Sequence, residues 1–125
     1  MGMRRGKILF LQIPHVDNEA SGRFENLRLA GSYLRYSMER SGEDRFFKSA
    51  IATSALDIAD DSHIAEHVCL KEKQDIIAAT LYLWNVERTL HILEMVKKDI
   101  PSLCIFVGGP EVAKDHPFLF KSRII

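Results

Sequence analysis

Short apolar runs alternate along the chain with stretches of helical spacing. Lys7–Ile13, Asp75–Tyr82 and Leu103–Val107 are almost continuously apolar. Runs of this length predict strands buried on both faces, as in parallel sheets. The less regular Phe46–Leu56 predicts one further strand.

Two longer segments repeat apolar residues every three or four positions, which is the spacing of one helix face. The first covers Phe24–Met38, and a serine–glycine pair follows as a stop signal. The second, Val86–Lys98, follows Asn85 as its predicted N-cap and ends in two lysines that suit the helix dipole. Between the two helices, Asp57–His67 predicts a short helix or an irregular crossover.

Strands that alternate with helices predict an α/β fold with a parallel sheet and right-handed connections. We expect a sheet of about four or five strands. Residues 1–125 form a single domain in this interpretation. Ser122–Ile125 begins a new apolar segment and then the sequence stops. We therefore expect these 125 residues to be the N-terminal part of a longer chain, truncated before or within the fifth strand.

The composition favours some classes of protein and excludes others. The 125 residues are 46% hydrophobic and 27% charged, which fits one globular domain with its own core. Because 17 basic residues balance 17 acidic ones, no nucleic-acid partner is expected. The apolar runs are too short for a signal peptide or a membrane span, so we expect a cytoplasmic protein without membrane contact.

The two cysteines, Cys69 and Cys104, are too few to hold an iron–sulfur cluster alone. We expect both as reduced thiols in or near the core. No motif pairs a nucleophile with a base, so the segment itself is expected to be non-catalytic.

In open parallel sheets, ligands bind beyond the carboxyl ends of the strands. The loops at those ends hold Pro14 and His15, Thr80 to Asn85, and Gly108 to Glu111. The glycine pair has two interpretations, a tight turn with positive φ or a gap in which a ligand lies against the backbone. Its spacing matches neither a dinucleotide fingerprint nor a P-loop.

The other residues of these loops also have two interpretations each. Thr80 is either a satisfied core hydroxyl or a ligand-binding one. Trp84 is either packed beside the helix or the wall of a site for a flat ligand. His15 is either a plain loop histidine or a group that bonds a ligand or a metal.

The stretch DIIAATLYLWNVERTLHILEMVKKDIPSLCIFVGGPEV, Asp75 to Val112, resembles the cobalamin-binding domain at the N-terminus of many radical S-adenosylmethionine enzymes. The shared features are a strand ending in threonine and Tyr/Trp-Asn, a helix with lysines near its end, and a strand leading into Gly-Gly-Pro. KILFLQIP and NLRLAGSYLR resemble the family's first strand and first helix more loosely.

The resemblance implies a Rossmann-like, flavodoxin-like three-layer sandwich that holds the lower face and nucleotide tail of cobalamin. Thr80 would bond the tail, and Gly108 and Gly109 would leave room for it. The corrin side would be lined by Tyr82, Leu83 and Trp84. The implied cofactor-binding set also includes Pro14, His15, Asn85, Pro110 and Glu111.

Two sequence motifs associated with cobalamin and radical S-adenosylmethionine chemistry are missing from this sequence. His15 lacks the Asp-x-His-x-x-Gly context of a lower axial ligand, so no metal-ligating residue is assigned. The Cys-x-x-x-Cys-x-x-Cys motif is absent. A 4Fe-4S cluster, S-adenosylmethionine and the chemistry, methyl transfer or another radical step, would therefore belong to a downstream radical domain.

The alternative is a cofactor-free flavodoxin-like or receiver-like interaction module. A phosphorylated receiver is disfavoured because the third strand ends in Leu81-Tyr82-Leu83-Trp84, without an acid.

Overall fold

The computed structural model describes residues 5–13, 29–52, 60–70 and 73–112. Four strands form one sheet in the order β2-β1-β3-β4, namely β1 (Gly6–Leu11), β2 (Phe47–Ile51), β3 (Ile76–Thr80) and β4 (Cys104–Gly108). Each neighbouring pair is parallel. The predicted α/β fold is therefore confirmed, whereas the predicted fifth strand falls outside the described residues.

Each connection between consecutive strands contains helical structure. Helix α1 (Leu29–Ser41) and a 3₁₀ turn (Glu43–Arg45) lead to β2. Helix α2 (Asp61–His63) continues as a π-helix (Ile64–Cys69) before β3. Helix α3 (Val86–Asp99) joins β3 to β4. None of the described helices has the length and apolar composition that crossing a bilayer requires.

The predicted elements differ from the observed ones mainly at their ends. β1 stops at Leu11 rather than Ile13, and β3 stops at Thr80 rather than Tyr82. Beyond these points the backbone groups of Ile13 and Tyr82 bond a side chain, that of Asn85. The helix predicted from residue 24 is confirmed from 29 onward, and residues 14–28 and 53–59 lie outside the described part.

One face of the sheet, here called the closed face, carries the hydrophobic core. At the centre of this face, four residues of β1 and β3 are at most 4% exposed, namely Leu9, Leu11, Ile77 and Ala79. They form one cluster with residues of α3 and the π-helix, namely Ile92, Leu93, Val96, Ile64, Ala65 and Cys69. The apolar periodicity of α3 predicts a buried helix face, and the packing of α3 in this cluster agrees with that prediction.

The opposite face, here called the open face, is only partly covered. Helix α1 lies over β1, where a Cβ added to Gly31 would sit 3.0 Å from the Cβ of Phe10. Phe10 is 6% exposed, whereas Phe106 of β4 is 57% exposed. Cys104, on the same side of β4, is exposed as well. The predicted core position is thus confirmed for Cys69 and wrong for Cys104, because the described helices leave this part of β4 to solvent.

Candidate functional site

The sheet reverses its strand order between β1 and β3. The chain adds β2 on one side of β1 and β3 on the other, so the connections leave the sheet in opposite directions. The carboxyl ends of parallel strands open a crevice at such a switch point. The predicted residues Thr80–Asn85 and Gly108–Glu111 follow β3 and β4 at this edge.

A cleft of about 300 Å³ lies on the open face at the carboxyl ends of β3 and β4. Thr80 and Gly108, which are direct partners in the β3–β4 ladder, both line it. Ala30 and Leu34 of α1 contribute to the lining from the helix side. The cleft is therefore a mostly apolar space whose lining includes Thr80, a residue with a hydroxyl group.

Part of this lining was predicted from the sequence and part was not. Of the predicted residues, Thr80, Tyr82, Gly108 and Gly109 line the cleft. The residues missed are on the strands and on α1, namely Phe10, Ala30, Leu34, Ala78, Ala79, Phe106 and Val107. A usable signal was the alternation of β4, which puts Phe106 on the same face as Gly108.

The structure separates the two glycines by what surrounds them. A Cβ added to Gly108 would have nothing within 4 Å. Its φ is not positive, because among the described glycines the positive values belong to Gly42 and Gly109. The missing side chain at Gly108 therefore leaves open space at the cleft, in line with the gap interpretation.

Gly109 fits the turn interpretation instead. Its φ is +104°, and an added Cβ would sit 2.6 Å from the carbonyl oxygen of Leu81. The same backbone segment is bonded on both sides, since Leu81 N–H donates to Gly108 O and Glu111 N–H donates to Leu81 O. The chain's own turn therefore requires this glycine, because the direction that a side chain would take is occupied by the Leu81 backbone.

The residues after β3 form a tight turn at the rim of the cleft. Asn85 N–H donates to Tyr82 O at 3.1 Å, which leaves Leu83 and Trp84 at the tip. Leu83 is 77% exposed and Trp84 is 48% exposed. The rings of Tyr82 and Trp84 stack, with centroids 4.6 Å apart and planes 4° from parallel. This flat aromatic pair is the most distinctive feature of the rim.

Asn85 stands at the predicted N-cap position of α3. Its side chain does not make the capping hydrogen bond that is typical of this position. The side chain is 1% exposed and bonds the backbone of Ile13, Thr80 and Tyr82 instead. The predicted N-cap position is therefore confirmed, while the side chain bonds the ends of β1 and β3 rather than the helix.

Two further predicted residues, Pro110 and Glu111, are described but do not line the cleft. Pro110 is exposed in the turn after β4, and Glu111 is half-buried beyond it. Pro14 and His15 fall outside the described residues. The loop after β1 therefore contributes no described residue to the cleft.

The described residues contain no group of three or more histidine, cysteine, aspartate and glutamate side chains placed to hold a metal ion. Burial raises the pKa of the Cys69 thiol from 9.0 to about 12. A thiol that keeps its proton is a poor nucleophile and a poor metal ligand. Cys69 is therefore a core residue rather than part of a reactive centre.

Comparison of the sequence with protein-family models and with curated proteins finds no match.

Proposed function

We propose that this chain is a cobalamin-binding domain of the type that accompanies radical S-adenosylmethionine enzymes, and that its cleft takes the nucleotide tail. The observation that carries the proposal is the open space at Gly108, directly opposite Thr80 in the ladder. A hydroxyl beside a bare backbone gives a ligand both a hydrogen-bonding group and room to approach.

The size and lining of the cleft support the tail rather than the ring. Its 300 Å³ lies at the lower end of the range of about 300–1,000 Å³ for small-molecule pockets. A heteroaromatic base with its sugar suits that space, and the corrin macrocycle would remain at the rim. Leu34, Phe106 and Ala78 supply apolar surface for the base.

The proposed roles of the chain are binding and orientation. When bound, cobalamin supplies a cobalt centre able to carry a transferable group. The Thr80 hydroxyl would fix the tail, and the Tyr82–Trp84 stack would lie beside the ring. The same proposal assigns the 4Fe-4S cluster and S-adenosylmethionine to a downstream radical domain in a cytoplasmic parent enzyme.

Titration with hydroxocobalamin tests the proposal through the visible spectrum and through co-elution on gel filtration. Gly108→Val fills the open space, while Cys104→Val places the same side chain on the same strand and face outside the cleft. We expect binding by the parent protein and by Cys104→Val, and binding about tenfold weaker or worse for Gly108→Val. Equal binding by the two variants, or no binding by the parent protein, contradicts the proposal.

Exposed apolar side chains favour a second candidate function, a cofactor-free interaction module. Tyr33 and Tyr36 of α1 are 77% and 59% exposed, and Phe106 is 57% exposed. Large exposed apolar groups mark interaction surfaces when they are contiguous. Light scattering over a range of protein concentrations, without cobalamin, tests this candidate: a dimer that ignores cobalamin supports it, and a monomer at all concentrations contradicts self-association.

A further inference from the structure

The Asn85 side chain is buried where the ends of β1 and β3 meet. Its Nδ2 donates to Ile13 O at 2.9 Å and to Thr80 O at 3.3 Å, and its Oδ1 accepts from Tyr82 N–H at 2.8 Å. An amide offers two donor hydrogens and an acceptor oxygen. These bonds therefore employ both donors and the acceptor within the protein.

The bonded groups belong to the two loops that flank the switch point. The β1–β3 ladder is described up to the pair Leu11 and Ala79, and beyond it Asn85 continues the connection between the strands. The carbonyl of Ile13 is part of the planar peptide bond to Pro14. Holding that carbonyl therefore ties Ile13, the last described residue after β1, to the residues that follow β3.

The same side chain holds the aromatic turn. Tyr82 N–H is bonded to the Asn85 side chain, and Tyr82 O is bonded to the Asn85 backbone. Both peptide groups that flank Tyr82 are therefore tied to one residue. These two bonds fix the backbone of Tyr82, from which the ring that stacks on Trp84 extends.

We propose that Asn85 is a positioning residue that holds the Tyr82–Trp84 stack at the rim of the cleft and ties Ile13, just beyond the end of β1, to the same turn. The effect of this positioning on ligand binding rests on the proposed function. The positioning itself is independent of any ligand, because each bond involved lies within the chain.

The contrast with Thr89, one turn further along α3, supports a specific role. Thr89 is 0% exposed, and its hydroxyl has no hydrogen-bond partner among the described residues. Burial on this helix therefore does not by itself provide polar partners. Asparagine combines two donors and an acceptor in a short side chain, a combination that aspartate, serine and leucine do not have.

Trp84 provides a direct test because it is the single tryptophan of the chain. Asn85→Asp keeps the acceptor for Tyr82 but places a carboxylate against the carbonyl oxygens of Ile13 and Thr80. We expect weaker near-ultraviolet circular dichroism from the stack. Acrylamide quenching of Trp84, now 48% exposed, should rise up to about twofold as the turn opens.

Acidification adds a readout that loss of stability alone does not produce. A protonated carboxyl regains one donor, so the Trp84 signals of Asn85→Asp should move back toward those of the parent protein at low pH. Thr89→Val is the matched control and should leave the Trp84 signals unchanged. A folded Asn85→Asp protein with parental Trp84 signals at neutral pH would overturn the proposal.

If Asn85→Asp does not fold, amide hydrogen exchange in the unsubstituted protein decides. Tyr82 N–H should exchange slowly, because it donates to a buried side chain. Exchange of this amide at the rate of an unprotected one overturns the proposal. Hydroxocobalamin titration of the same proteins is read separately: altered Trp84 signals without binding by the parent protein would sink the proposed function and leave the positioning role standing.

Discussion

The closed and open faces are built from alternating residues of the same strands, yet they differ in how much of each is buried. Ile77 of β3 is 0% exposed on the closed face, whereas Phe106 of β4 is 57% exposed on the open face. Hydrophobicity does not explain the difference, because both side chains are strongly apolar. The helices above the strands explain it: α3 and the π-helix cover the closed face, and α1 covers the β1 part of the open face.

We infer from this difference that the closed face provides most of the stability and the open face provides the candidate binding site. Apolar area removed from water stabilises the fold, so the closed face should account for most of the stability. The open face keeps the cleft, the bare backbone of Gly108 and the aromatic rim. The following predictions test this division, beginning with the largest expected effect.

Truncation of a core side chain packed against the closed face should lower the free energy of unfolding the most. Leu93 is 0% exposed within the core cluster. Leu93→Ala removes buried methyl groups and leaves a cavity, so the free energy of unfolding should fall by about 3 kcal/mol. Urea denaturation followed by circular dichroism measures it. A loss below about 1 kcal/mol would mean that the closed face does not dominate stability.

The glycine pair should give effects of opposite sign. Gly109→Ala introduces a Cβ against the Leu81 carbonyl at a φ of +104°, and should lower the free energy of unfolding by about 2 kcal/mol. Gly108→Ala meets open space and should raise it by about 0.5 kcal/mol, because the unfolded chain loses freedom. The same urea experiment checks both variants. Equal losses would contradict the assignment of the turn to Gly109 alone.

The sequence was sufficient for the architecture and for α3. The helix was predicted as Val86–Lys98 and is observed as Val86–Asp99, because its apolar residues repeat regularly and its end carries strong stop signals. The bounds of β1 and β3 were less accurate. Strand ends depend on which backbone partner is in reach, and here Asn85 replaces a neighbouring strand.

The candidate site was harder to predict than the fold. Thr80 and Gly108 follow from the rule that ligands bind at strand ends. The different roles of Gly108 and Gly109 could not be predicted, since they depend on the position of the Leu81 carbonyl in space. The buried role of Asn85 was hidden in the same way, because Ile13 is far from it in sequence.

The reactivity of the two cysteines offers a chemical test of the difference between the faces. Cys69 is buried in the core cluster against the closed face, and Cys104 is exposed on the open face. At pH 8 a thiol-reactive disulfide reagent should modify Cys104 quickly and Cys69 only after unfolding. Counting modified thiols by mass spectrometry, with Cys104→Ser as control, measures this. Rapid modification of Cys69 in folded protein would show that the closed face opens readily.

The raised pKa of Cys69 also predicts a dependence of stability on pH. The folded thiol holds its proton up to about pH 12, while the unfolded thiol releases it near 9.0. The contribution is therefore complete below pH 9 and is lost as the pH rises from there toward 12, by roughly 1.4 kcal/mol at pH 10. Other groups titrate in this range, so the measured quantity is the difference in slope between the parent protein and Cys69→Ala. Identical slopes would contradict burial of the thiol.

The smallest change in stability is expected on the open face. Phe106→Ser removes a large ring, but 57% of this side chain is already in contact with water. The free energy of unfolding should therefore change by less than about 1 kcal/mol, far less than for Leu93→Ala. Because Phe106 also lines the cleft, the same substitution should weaken hydroxocobalamin binding if the proposed function is right. A large loss of stability would show that β4 is covered on this face in solution, and the distinction between the two faces would then not hold.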